Sequence, residues 1–328
     1  ADMVRFARTG GEANAICIRI ARASTGRDKI AICGYHGWHD WYLSANLNGN
    51  ESLEDHLIPG LNPLGVPKAL RNTVFPFNYN DINELKTIIK ENPDLAAVKM
   101  EVVRSYEPEV GYLEEVRRLC TENNIVLIFD ECTSGFRETF GGVHKKHNVF
   151  PDMCMFGKAL GNGHAITAII GKREIMECAQ NTFISSTFWT ERIGPTAGLA
   201  TLKEMDKVKS WEIITETGKT IKDNWISLAT NANINIEISG MDALASFVIK
   251  SDAWLKYKTY ITQSMLEKNF LAANVVYSST KHTKKILNEY FESIGEVFRK
   301  IGDFERDIDS VDNYLKTDIC HSGFKRIN

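Results

Sequence analysis

The sequence predicts an α/β protein in which a large domain, built on a mostly parallel sheet between helices, is followed by a smaller α+β domain. Three observations carry this. Short apolar runs rich in β-branched residues alternate with helical patterns over the first two hundred residues. The length, 328 residues, allows two domains, with a boundary near Asp206. Beyond it helices and strands follow one another in a different order. In the first domain, 1–206, Val4 to Ala7 reads as a strand and Thr9-Gly10-Gly11 as a turn. Glu12 to Ala23 reads as a helix, on the spacing of Ala13, Ile16, Ile20 and Ala23. Strands are expected at Lys29 to Cys33, Leu95 to Met100, Ile125 to Phe129, Met153 to Phe156 and Ile166 to Gly171. Helices are expected at Asn80 to Glu91, Tyr112 to Asn123 and Thr190 to Met205. In the second domain, 207–328, the expected order is helix Trp211 to Ala229, strand Asp242 to Lys250, helix Asp252 to Glu267, strand Phe270 to Tyr277 and helix His282 to Ile301. A polar tail from Asp303 to Asn328 reads as a surface extension or a partly disordered segment.

Bulk properties exclude several classes of function. With 39 basic and 42 acidic residues, a net charge of −3, no broad basic field is available for nucleic acid or an anionic membrane. The seven cysteines are odd in number, scattered and without C-x-x-C spacing. They read as reduced thiols of a cytoplasmic protein, not as a disulfide framework or a zinc site. No run approaches the ~20 apolar residues of a membrane span, and the first residues do not read as the charged, apolar and small-residue sequence of a signal peptide. The chain opens on Ala1 instead of Met, as expected of a piece of a longer protein.

Two segments carry chemistry. The apolar run Ile125 to Phe129 ends in Asp130-Glu131, and Met153 to Phe156 runs into Gly157-Lys158-Ala-Leu-Gly161-Asn-Gly163. An acid at the end of a buried strand needs a cationic partner, because an unpaired buried charge is costly. A protonated pyridine nitrogen would serve, and the cationic ring could then accept electrons from a breaking bond at a substrate α-carbon. A lysine at the end of an apolar strand, desolvated and beside a cation, would be held as the neutral amine that attacks an aldehyde. Together Asp130 and Lys158 suggest a pyridoxal phosphate site. Taken singly, Asp130 would cap the next helix and Lys158 would be a solvated cation. Thr9-Gly10-Gly11-Glu12 before a helix offers backbone N–H groups to a phosphate, although such a pair also serves as a plain tight turn. The rings of Tyr35-His36-Gly37-Trp38-His39-Asp40-Trp41 could stack on a pyridine or form an aromatic core cluster. Metal binding by His36, His39 and Asp40 is set aside, since no further ligand cluster is evident.

Several motifs in one order resemble the class III aminotransferases: Thr9-Gly-Gly-Glu-Ala-Asn14, Tyr35-His-Gly37, Ile128-Phe-Asp-Glu131 with Gly135-Phe-Arg137, and Phe156-Gly-Lys-Ala-Leu-Gly161. Ala21-Arg22, Thr25-Gly-Arg27, the Asp-Glu-x-x-Ser-Gly-Phe-Arg segment and Gly198-Leu-Ala-Thr-Leu202 are most similar to the glutamate-1-semialdehyde aminomutase branch. The resemblance runs to about Ile301. It implies a fold type I pyridoxal phosphate enzyme and, residue by residue, Lys158 as the imine lysine, Asp130 as the acid facing the ring nitrogen and Tyr35 beside His36 on the ring. It further implies Cys132 on the opposite face, Glu101 as an acidic site residue and Gly10 and Gly11 at the phosphate. Thr187 would reach the phosphate of a neighbouring site, which implies a homodimer. Thr9-Gly-Gly stands where the family has Ser-Gly-Thr, Glu101-Val102 where it has Glu-Pro, and Asn274 and Val276 where the aminomutase branch has an acid and a glycine. Family members carry further residues upstream, including part of the small domain.

The leading expectation is therefore ping-pong amino transfer between a small-molecule amine donor and a carbonyl acceptor. An aminomutase and a non-catalytic relative kept for binding or assembly are the alternatives. A nucleotide hydrolase reading of Val126 to Glu131 requires a phosphate loop. Gly218-Lys219-Thr220 fails that spacing, because position 213 is Ile. Arg137 and Arg192 read equally as carboxylate ligands or structural ion pairs.

Overall fold

The structure, a computed structural model, describes residues 1–48, 53, 61–103 and 105–322. Among these the chain divides into two units, one formed within 1–103 and 107–208 and the other by 105–106 with 209–322.

The first unit carries β1 (Met3–Ala7), α1 (Gly10–Thr25), β2 (Lys29–Cys33), α2 (Asp40–Leu43), β3 (Val74–Pro76), α3 (Ile82–Glu91), β4 (Leu95–Glu101), α4 (Tyr112–Glu122), β5 (Val126–Glu131), β6 (Met153–Phe156), β7 (Thr167–Gly171), α5 (Arg173–Met176) and α6 (Ile193–Val208). Its seven strands form one mixed sheet in the order β1-β7-β6-β5-β4-β2-β3. The pairings β2–β3, β2–β4, β4–β5 and β5–β6 are parallel. β7 runs antiparallel to both β6 and β1. This is the α/β architecture expected of a fold type I enzyme, with the antiparallel turn of β7 legible only in three dimensions.

Local signals explain the elements. Thr9 caps α1 by accepting from the Glu12 N–H at 3.2 Å, while Glu12 reaches back to the Arg8 N–H at 2.9 Å. Gly26, at φ 66°, ends the helix by donating to the Arg22 carbonyl. The apolar face of α1, from Ala13 through Ile16, Cys17 and Ile20, packs on Ile30, Ile32, Ala97, Ile128, Met155 and Ile169 of the sheet. Each such isoleucine contributes about 1.5–3 kcal/mol through burial. α6 begins at Ile193, later than Thr190, because the Glu191 carboxylate accepts from the N–H groups of Ile193 and Gly194 at 2.6 and 3.0 Å. The three-residue edge strand β3 ends on Pro76, whose missing N–H suits an edge.

The second unit carries α7 (Ser210–Ala232), β8 (Ile236–Ser239), β9 (Leu244–Ile249), α8 (Trp254–Glu267), β10 (Val275–Tyr277) and α9 (Lys284–Glu305), with the three strands antiparallel in the order β10-β9-β8. β8 was not expected, although Ile234, Ile236 and Ile238 alternate with polar residues. β10 is shorter than expected because Asn269 takes φ 65° and the Phe270 N–H closes onto the Met265 carbonyl, so these residues finish α8. Trp225, Phe247, Ile294, Phe298 and Ile301 fill the core, with Trp225 Nε1 donating to Tyr290 Oη at 2.9 Å. The tail is ordered as far as it is described: Lys316 N donates to Gln263 at 3.1 Å and Cys320 N to Thr259 at 2.9 Å, which seats it on α8. Residues 323–328 lie outside the described residues.

Gly218, once weighed as part of a phosphate loop, lies within α7, where a Cβ would stand 1.6 Å from the Asp242 carbonyl oxygen. It is a packing glycine, which removes the nucleotide-hydrolase reading. Gly218→Ala is expected to cost about 2–3 kcal/mol or more of unfolding free energy in a denaturant titration, since neither backbone can yield cheaply.

Candidate active site

The sheet topology brings distant residues to one edge. Because β2, β4, β5 and β6 are parallel, Gly34-Tyr35, Glu101, Asp130 and Gly157-Lys158 all emerge at their carboxyl ends, where α/β sheets bind ligands. β1 runs antiparallel to β7, and β7 antiparallel to β6, so Ala7 pairs with Thr167 next to the Phe156–Ala168 pair. The turn after β1 and the start of α1 therefore arrive at the same edge. The backbone there is close: a Cβ on Gly37 would lie 3.1 Å from Gly11 Cα, and one on Gly157 2.7 Å from Cys132 Sγ.

Asp130 is the electrostatic centre of this edge. It is 4% exposed and ionised by its neighbours. Its Oδ2 faces His36 Nδ1 at 2.8 Å and Lys99 Nζ at 3.6 Å, and its Oδ1 accepts from the Cys132 N–H at 3.1 Å. Burial alone pushes a carboxyl group up, but Lys99, His36 and the Cys132 N–H outweigh it and hold Asp130 well below the usual carboxylate range. His36 Nε2 lies 3.1 Å from the Cys33 carbonyl, so each ring nitrogen faces an oxygen. His36 is 0% exposed and lies behind Asp130, outside the cavity. Its expected place on a cofactor ring is thus replaced by one in support of the acid.

Lys158 follows β6 at φ 39°, a left-handed conformation that non-glycine residues rarely adopt and that marks stored backbone strain. Its Nζ donates to Thr133 Oγ1 at 2.7 Å. The residue is exposed, which corrects the expectation of a desolvated lysine: it lies past the end of the apolar strand, on a turn that delivers it into an open cleft. Tyr35, half-buried, is seated by Glu101, whose Oε2 accepts from the Tyr35 N–H at 3.1 Å. Burial, then Asp130, pushes the Cys132 thiol up to about 11, so it packs as a neutral thiol instead of acting as a nucleophile.

Gly10, Gly11, Tyr35, Glu101, Asp130, Cys132 and Lys158 line one cavity of about 270 Å³. Of the other candidates, His36 stands behind it and Thr187 is exposed and outside its lining. The walls also include Asn14 and Thr133, which sequence reasoning passed over, and Asn14 Oδ1 is buried with no hydrogen-bond partner among the described residues. The Thr-x-x-x-x-Asn spacing, one helical turn inside α1, was the available signal for Asn14. A larger open groove of about 520 Å³ lies beside Arg27, Lys86 and Lys90, where Arg27 donates to the Leu95 and Asn123 carbonyls and Lys86 pairs with Glu115. Glu131, His144 and Cys154 group buried metal-type ligands, but Glu131 Oε1 already accepts from His144 Nδ1 at 2.9 Å. The groups of the cavity fit pyridoxal phosphate: an amine, a buried ionised acid, a tyrosine ring, an amide oxygen and a glycine cradle at a helix start.

Because the native carboxyl of Asp130 gives up its proton more readily than the unfolded one, its contribution to stability is complete above the unfolded value near 4 and is lost as pH falls further. Asp130→Asn is therefore expected to be less stable than the parent at pH 7, with a gap that narrows from about pH 4 downward in urea titrations.

A sequence profile described as Aminotransferase class-III matches residues 1–281. The 3-aminobutyryl-CoA aminotransferase of Cloacimonas acidaminovorans (strain Evry) is 31% identical, over 92% of this chain and 72% of that protein. The glutamate-1-semialdehyde 2,1-aminomutase of Methanosphaera stadtmanae is 33% identical, over 83% of this chain and 64% of that protein. Among solved structures, the pyridoxal phosphate internal aldimine form of the Sphingopyxis sp. MTA144 FumI protein superposes with a TM-score of 0.83 at 21% identity, covering 94% of this chain and 73% of that one. An omega-transaminase from Sphaerobacter thermophilus superposes with a TM-score of 0.80 at 22% identity, covering 91% and 74%. The extent of the profile match and the two relatives place this chain in the class III aminotransferase family, whose enzymes depend on pyridoxal phosphate.

Proposed function

We propose that the chain transfers amino groups between a small-molecule amine and a carbonyl acceptor, with Lys158 and Asp130 as the groups that act on the bound cofactor. The observation that carries this reading is the convergence of a lysine amine and a buried, ionised acid in one cavity at the carboxyl edge of the sheet. Pyridoxal phosphate, when bound, supplies an aldehyde carbon and an electron-accepting ring. Lys158 Nζ, oriented by Thr133 Oγ1, would hold the cofactor at its aldehyde carbon and would carry a proton at the substrate carbon. Asp130, oriented by His36, would face the ring nitrogen. Tyr35, set by Glu101, and Cys132 would pack against the ring, and the first N–H groups of α1, at Gly10 and Gly11, would bind the phosphate. Thr187 completes the phosphate site of a second copy in a homodimer, a reading supported by its exposure and its position outside the cavity of its own chain. Return of the amino group to a neighbouring carbon of one substrate is the second reading, favoured by the aminomutase relative.

The chain incubated with pyridoxal phosphate is expected to show a visible absorbance band that a donor amine bleaches. Lys158→Ala is expected to lose the band and to transfer amino groups about 10³-fold more slowly or worse. A folded parent protein without the band would identify a non-catalytic relative. Single-substrate turnover without a carbonyl acceptor would identify the mutase.

Thr187→Ala is expected to weaken cofactor binding roughly tenfold or more, the loss of one hydrogen bond to a charged group. If Thr187 serves the neighbouring site, mixing Thr187→Ala with Lys158→Ala subunits restores activity, because one site of each mixed dimer is then intact. No recovery on mixing would assign Thr187 to its own chain.

A further inference from the structure

Lys99 stands in the middle of β4, where its neighbours in sequence are Leu95, Ala96, Ala97, Val98 and Met100. In the sheet it pairs with Ile32 on one side and Ile128 on the other. It is 0% exposed, and its Nζ makes no hydrogen bond among the described residues. Its ion pair is with Asp130, at 3.6 Å, which is longer than a hydrogen bond and leaves a contact of charge with charge. A methionine would fill such a site without the penalty of desolvating an ammonium, so a buried lysine here is weak as a stabilising device. Asp130 does not need it as an anchor either, since His36 and the Cys132 N–H already hold both of its oxygens. The other titratable groups near this carboxylate are the thiols of Cys132 just beyond β5 and Cys17 of α1, each pushed up to about 11, and of Cys154 of β6, pushed well up, each by burial first, so all three stay neutral.

We propose that Lys99 is a positioning residue for the electron sink: it shares Asp130 with the ring nitrogen of the cofactor, keeping the acid charged and lowering the hold of that acid on the ring proton. This rests on the reading that the cavity takes pyridoxal phosphate. Two cations that share one carboxylate oppose each other. In a pocket of low dielectric this repulsion falls directly on the ring nitrogen, the partner that can give up its proton to solvent or substrate. The chain would thereby run its chemistry on a less fully protonated ring than Asp130 and His36 alone would impose.

The test uses the full chain loaded with pyridoxal phosphate labelled with ¹⁵N at the ring nitrogen, read by NMR across pH in the parent, in Lys99→Met and in Lys99→Gln, with folding checked by circular dichroism. The expected result is a ring-nitrogen signal shifted toward the pyridinium limit in both variants, a rise in proton affinity on the order of tenfold, the size expected from removing one nearby buried charge. Coincident signals in folded, loaded variants would overturn the role of Lys99 while leaving the amino-transfer reading intact. Loss of folding in both variants would also overturn it, by assigning Lys99 to structure. A folded parent that takes up no labelled cofactor would overturn it together with the functional reading.

Discussion

The site depends on keeping one carboxylate charged where water is scarce. Asp130 is 4% exposed at the end of a strand that is buried throughout. An isolated charge there would be neutralised or expelled. The surroundings supply two hydrogen bonds and a charge from three directions: His36 from the turn after β2, the backbone N–H of Cys132 just beyond β5, and the Lys99 ammonium from β4. Each belongs to a different part of the sequence, and each is held by the sheet. The buried acid is therefore also a constraint on the strands that flank it.

Glycines complete the arrangement where polypeptide must approach polypeptide. Gly34 takes φ 102°, and a Cβ there would lie 2.6 Å from Glu101 Oε2, so only glycine admits the carboxylate that receives the Tyr35 N–H. Gly157 likewise lets the end of β6 pass Cys132 before the chain turns through the strained φ of Lys158. The strain and the hydrogen bond to Thr133 direct the amine into the cleft. A glycine at 158 would relieve the strain, so the lysine there is held in a backbone conformation that its own side chain disfavours.

The departures from the family pattern have a physical reading. Replacement of the usual hydroxyl by Gly11 leaves the backbone donors of α1 in place, with a Cβ at Gly11 only 3.3 Å from His39 Nε2. Val102, in place of proline after Glu101, is buried and retains its carbonyl as the acceptor of Tyr79 Oη. These substitutions alter what surrounds the cavity without displacing the acid or the amine.

Much of this was determined by the sequence alone. The alternation of apolar runs with amphipathic spacing specified the α/β class, because burial on a sheet and burial on a helix impose different periods. The strand-end position of Asp130, the glycines beside Lys158 and the turn at Gly10 and Gly11 were legible as chemistry because charge, close approach and free N–H groups each require particular residue types. Other features depended on tertiary structure. Lys99 reads as an interruption of an apolar strand until the register sets it 3.6 Å from Asp130. His36 reads as one of several rings until the fold buries it behind the acid, and Lys158 reads as desolvated until the turn opens it to the cleft. The antiparallel course of β7 is equally silent in sequence, since an apolar strand reads the same in either direction. Residues 36, 99 and 130 meet, and 130 and 158 share one cavity, only when the strands pair, and no local pattern encodes a distance across strands.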